Sequence, residues 1–104
     1  MLVRTEANAR VHAVATIAVI VAGLYLGIAR WEWCAVVGAI GLVWTAEAVN
    51  TAIEAVVDLA SPERHPLAGR AKDVAAGAVL ISALAAIVIG ALVFGSRLLA
   101  LAGH

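Results

Sequence analysis

A chain of 104 residues accommodates one small domain. Its 64% hydrophobic content and mean hydropathy of +1.05 lie well above the roughly 45–50% apolar content of soluble domains, and so short a chain has too little interior to hide that surface from water. Seven basic and seven acidic residues give a formal net charge of zero, no nucleic-acid partner is expected, and the single cysteine, Cys34, excludes an intrachain disulfide.

Crossing a bilayer takes about 20 helical residues, and three segments are long enough: 11–28, 33–58 and 74–95. Ahead of the first stand Glu6, Asn8 and Arg10, and His12 lies close by at its start. Glu6 and Arg10 are spaced i, i+4, a pairing that on a surface contributes only about 0.2–0.5 kcal/mol, and His12 reads as an interfacial side chain. The first span could be mistaken for a signal peptide. It is too long for an h-region and ends in IARWEW, a poor cleavage site, so it reads as a retained helix. Gly23 and Gly27 form G-x-x-x-G, a pattern of close helix association.

Residues 29–32 form a short connector, and Trp31 and Trp33 mark a membrane interface. The second span carries Glu47, Asn50, Thr51, Glu54 and Asp58. Offsets of 0, 3, 7 and 11 fall at roughly 0°, −60°, −20° and +20° on a helix, so Glu47, Asn50, Glu54 and Asp58 share one narrow face. Carboxylates at membrane depth are costly and mark functional sites. Glu47 lies about 16 Å deeper than Asp58 by helical rise.

The next loop, 59–73, is broken by Pro62 and Pro66 and supplies Glu63, Arg64, His65 and Arg70; Lys72 and Asp73 open the third helix, with Asp73 as an N-cap or first-turn residue. The third span contains no charged residue. Arg4, Arg10, Arg64, Arg70 and Lys72 fall on one side of the membrane, and Arg30 and Arg97 on the other. The positive-inside rule therefore places the N-terminus and the 59–73 loop in the cytoplasm. Carboxylates beside Lys, Arg and His at one interface suit Mg²⁺ and phosphate together. No glycine-rich phosphate loop is present, which excludes a soluble-type nucleotide fold. Three helices do not easily surround the stripe, so a homo-oligomer is expected, with Gly38, Gly41, Ala86 and Gly90 allowing close approach.

The run from Glu47 through Asn50, Glu54 and Asp58, then Glu63 and His65, then Lys72 and Asp73, with the Glu6-x-Asn8-x-Arg10-x-His12 segment before it, strongly resembles the prokaryotic diacylglycerol kinase / undecaprenol kinase family. The resemblance covers nearly the whole chain. It implies an all-α membrane protein of three transmembrane helices forming a trimeric bundle, one lipid kinase domain over 1–104, in the bacterial inner membrane. It also implies transfer of the γ-phosphate of MgATP to a lipid hydroxyl of undecaprenol or diacylglycerol. By the same resemblance Glu47 is the general base, Glu6 and Glu54 hold metal, Asn50 neighbours the reacting phosphate, and Lys72 stabilises phosphate charge. Asp58, Glu63, His65 and Asp73 complete the nucleotide region with Glu6, Glu54 and Lys72. Family members carry a longer leader with an amphipathic surface helix, whereas five residues precede Glu6 in this chain, a departure that bears on the lipid entrance and on activity. Ala75-Ala76-Gly77, where diacylglycerol-preferring members often have serine, leans toward a polyprenol. The competing reading is a proton- or ion-coupled transporter or channel subunit that uses the intramembrane carboxylates, and a third is an assembly protein whose stripe sets helix register. Neither requires the Lys72-Asp73 and Glu63/His65 cluster.

Overall fold

The computed structural model describes the backbone of residues 2–103 and the side chains of residues 8–103. Three helices follow one another: α1 (Leu2–Leu26), α2 (Arg30–Ala60) and α3 (Pro66–Ala102), each containing a stretch long and apolar enough to cross a membrane. Their ends have local causes. Gly27 takes φ 63°, a left-handed conformation that glycine adopts without penalty, and the amides of Gly27 and Ile28 both donate to the Gly23 carbonyl at 3.0 and 3.2 Å. Ala29 is extended and has no side-chain acceptor. Glu32 supplies the cap from within the helix, its Oε1 accepting the Ala29 amide at 2.8 Å.

The loop between α2 and α3 is shorter than the expected 59–73. It spans 61–65, because Pro66 occupies the first helical position, where a missing N–H and a fixed φ favour a helix start. His65 is the N-cap, its Nδ1 accepting the Leu67 amide at 3.1 Å. Lys72 and Asp73 therefore lie inside α3 instead of opening it, and Asp73 is neither a cap nor a first-turn residue.

Two short connections fold the chain into a rod of 60 × 21 × 20 Å in which α2 lies along α3 and touches α1 more lightly. With 37 residues α3 is about 55 Å long at 1.5 Å per residue, so it outreaches a hydrocarbon core of about 30 Å. The packed core sits toward the end that carries residues 27–32, where Ile28, Val36 and Val93 are buried among Val19, Leu26, Trp33, Ile40, Ile89 and Phe94. There the Trp33 indole rests on Gly23, where an added Cβ would lie 2.7 Å from the ring. The G-x-x-x-G pattern thus serves this chain's own hairpin: Gly23 receives Trp33, and Gly27 ends α1. Trp33 is partly buried against Gly23 and the core; Trp31 is exposed, as is Tyr25.

The same end holds an ion pair in which the carboxylate is buried and the arginine partly exposed. Glu32 is 3% exposed, and Arg97 donates to it from Nε, at 3.1 Å to Oε1 and 3.4 Å to Oε2, and from Nη2. Elsewhere long apolar side chains such as Leu24, Leu80, Ile81 and Leu92 stand exposed along the rod, a surface suited to lipid or another chain rather than water. A Cβ at Gly38 or Gly41 would meet nothing within 4 Å and both are exposed, so those small-residue surfaces face outward from the single chain, whereas Gly90 borders a cavity between the helices.

Candidate functional site

The polar stripe of α2 runs toward the loop end, and the fold divides it between two neighbours. Glu47, with 18% of its side chain exposed, faces α1: His12 Nε2 lies 3.2 Å from Glu47 Oε1. Asp58, about 16 Å along the helix, faces α3 and pairs with Lys72. Residues close in angle on one helix thus meet different partners because α1 and α3 flank the stripe. Thr51 turns its hydroxyl back to the Glu47 carbonyl at 3.0 Å and presents no free donor to a ligand.

Between these two contacts Asn50 Nδ2 donates to Glu54 Oε1 at 3.2 Å, while Asn50 Oδ1 is buried without a hydrogen-bond partner among the described residues. A buried, unpaired carbonyl oxygen costs about 1–3 kcal/mol, so the fold leaves an acceptor waiting beside a carboxylate. Oxygen donors in this arrangement fit a hard cation such as Mg²⁺. No group of three or more His, Cys, Asp or Glu side chains that could hold a metal ion converges among the described residues. Glu6, the other expected metal ligand, has its side chain outside the described residues.

At the loop end a cleft of about 470 Å³ is lined by Asp58, Glu63, Arg64, His65 and Lys72, with the 61–65 backbone as its floor. Four of the expected nucleotide residues thus share one cavity. Ser61 donates its hydroxyl to the Glu63 carbonyl at 3.0 Å, which holds the loop. His65 spends Nδ1 on the helix cap, so its free contact to a ligand is Nε2. The Asp58–Lys72 pair is about 40% exposed on both sides, a loose contact that an incoming anion can replace. Asp73 is exposed on α3 and does not line this cleft. Arg64 does, a basic residue seen in the loop but not assigned a role by the sequence.

His12 is the larger surprise, since its position at the start of the first span pointed only to an interfacial side chain. Its ring packs at 5.9 Å, tilted 58°, against Trp44, whose Nε1 donates to Thr16 Oγ1 at 3.0 Å. Both His12 and Trp44 also line an apolar cavity of about 120 Å³ that runs away from the loop between Val36, Ile40, Ile89 and Phe94. Glu47 itself borders a separate recess of about 180 Å³ between α1 and α2, which it lines with His12, Trp44 and Thr51. A spacing of 35 residues between His12 and Glu47 carries no periodic signal, and only the α1–α2 turn length could have paired them.

A family model described as prokaryotic diacylglycerol kinase matches residues 1–94. The chain is similar to undecaprenol kinase of Bacillus subtilis (strain 168), 43% identical over 95 residues that cover 91% of this chain and 77% of the relative. Against diacylglycerol kinase of Synechocystis sp. identity is 41% over 87 residues, 83% of this chain and 50% of the relative. Against diacylglycerol kinase of Escherichia coli (strain K12) it is 37% over 83 residues, 80% of this chain and 68% of the relative.

Proposed function

The chain belongs to the prokaryotic diacylglycerol kinase family, a family of lipid kinases, and from that premise we propose that this multi-pass membrane protein transfers the γ-phosphate of MgATP to the hydroxyl of a membrane lipid. Undecaprenol is the first substrate to test and diacylglycerol the second. The higher identity to the undecaprenol kinase and the Lys72-Asp73-x-Ala75-Ala76-Gly77 run support that order. The observation that carries the proposal is the family match together with the loop-end cleft lined by Glu63, His65, Lys72 and Asp58, the last on the same helix face as Glu47. A transporter or channel reading leaves that cleft without a purpose and has no support in the family match.

Phosphoryl transfer needs positioning and charge neutralisation more than covalent chemistry from the protein. The lipid's apolar chain lies along the helices with its hydroxyl at Glu47, which accepts the hydroxyl proton as the oxygen attacks phosphorus. Lys72 leaves Asp58 for the phosphate oxygens, and Asp58, Glu63, His65 and Asp73 orient the nucleotide from the loop side. Asn50 sits beside the reacting phosphate. Glu6 and Glu54 would hold Mg²⁺, which when bound neutralises charge on the phosphate oxygens. The site is completed in a homotrimer, in the inner membrane with the N-terminus and the 61–65 loop facing the cytoplasm, an orientation supported by the basic residues on that side.

The test is a phosphotransfer assay in detergent micelles with Mg²⁺ and γ-labelled ATP, offering undecaprenol and diacylglycerol separately. Label is expected in the lipid phosphate product. Folded protein that labels neither lipid would sink the proposal. Glu47→Gln is expected to lower turnover at least about 100-fold with MgATP binding retained.

A further inference from the structure

His12 touches Glu47 across two helices, and the contact has a direction. A carboxylate that serves as a base accepts hydrogen bonds, so in that role Glu47 Oε1 accepts from the protonated His12 Nε2 at 3.2 Å. The imidazole is itself held in place. Its ring packs on Trp44, one turn before Glu47 on α2; the Trp44 indole donates to Thr16; and the Thr16 hydroxyl donates to the His12 carbonyl at 2.6 Å. This circuit ties the first span to the second at the depth of Glu47. From α2 the one titratable group facing His12 is Glu47. On α1 Arg10 is exposed, and α3 offers only Ala86, Ile89, Gly90 and Phe94 to the cavity that His12 lines. Among the described residues no other side chain donates to the Glu47 carboxylate.

We propose that His12 is the positioning residue of Glu47. Its Nε2–H holds Oε1, fixes the carboxylate's rotamer, and leaves Oε2 toward the lipid hydroxyl. The inference rests on the reading of Glu47 as base. In the transfer, the hydroxyl O–H bond breaks with its proton passing to Glu47 Oε2. The hydroxyl oxygen bonds to the γ-phosphorus, and the bond from phosphorus to the bridging oxygen breaks, ADP leaving with that electron pair. His12 keeps its own proton throughout. A base without this tether can rotate out of line, and a misplacement of about 1 Å costs on the order of 100-fold in rate.

Steady-state kinetics of His12→Ala and His12→Gln in micelles, with MgATP and the lipid that is turned over, test the role. His12→Ala is expected to lower kcat about 100-fold while KM for MgATP stays within about twofold. His12→Gln places an amide donor at similar reach and recovers about tenfold of that loss. In a Glu47→Gln background His12→Ala adds no further loss, since the tethered group is gone. Unchanged kcat in His12→Ala overturns the proposal, as does a Gln variant as slow as the Ala variant. A parallel rise in KM for MgATP reduces His12 to a packing contact and overturns it as well. If Glu47→Gln alone keeps full turnover, the base assignment fails first. If Glu47→Gln is inactive and His12→Ala fully active, only the positioning role is lost.

Discussion

At the end of the rod that carries residues 27–32, the Glu32 carboxylate is buried and well paired, accepting the Ala29 amide and two nitrogens of Arg97. At the loop end the charged groups are half exposed or incompletely paired: Asp58 and Lys72 hold each other loosely, and Asn50 Oδ1 has no partner among the described residues. Both ends carry carboxylates on the same helix, so residue type does not separate them. Pairing does. Where a carboxylate is buried under several donors the charge works for the fold, and where polar groups are left unpaired they remain open to a ligand.

Substitutions at the two ends should therefore separate stability from activity. Arg97→Ala strips the partner from a buried carboxylate, and the thermal unfolding midpoint in micelles is expected to fall by more than about 5 °C. Adding Glu32→Gln to Arg97→Ala should recover part of the loss, because the unpaired charge is the main cost. A midpoint unchanged by Arg97→Ala would erase the contrast between the ends. Lys72→Ala is expected to do the reverse: turnover falls at least about tenfold, while unfolding shifts by no more than about 1 kcal/mol, the range of an exposed ion pair. Gly23→Ala sharpens the account of the closed end. Its Cβ would press on the Trp33 ring, costing about 1–3 kcal/mol, offset by about 1 kcal/mol of helix propensity, so denaturant titration should read a net loss near 1 kcal/mol. Smallest is Gly77→Ala on α3, where nothing lies within 4 Å of the added carbon. A gain of about 0.5–1 kcal/mol is expected, and a loss would mean that a second chain covers this position.

Much of the fold is legible in the linear chain. Three apolar runs of bilayer length announce three helices, and the α2 stripe announces a site because carboxylates in apolar surroundings have few neutral explanations. Errors arose at the helix ends. Pro66 read as a breaker and proved to be a helix start, which moved Lys72 and Asp73 into α3. Residues 30–32 read as a connector and proved to be the first turn of α2, so Glu32 was not seen as a cap, nor Arg97 as its partner. Glycine patterns were ambiguous for a related reason: Gly23 and Gly27 satisfy a helix-association motif, yet one accommodates an indole from the next helix and the other ends its own. Each error concerns a residue whose role depends on what faces it.

The sequence by itself determined the class of protein, its three spans, the family and the face of α2 that bears the polar groups, since length, hydropathy and helical period are local quantities. Tertiary structure decided the partners: His12 on Glu47, Lys72 on Asp58, Arg97 on Glu32. These contacts join residues 14 to 65 positions apart, and their existence depends on how two turns fold the helices back and in what register. No period along the chain encodes that register. It is set by the left-handed Gly27, the proline start of α3 and the seat of Trp33 on Gly23, and the division of one polar stripe between two neighbouring helices follows from it.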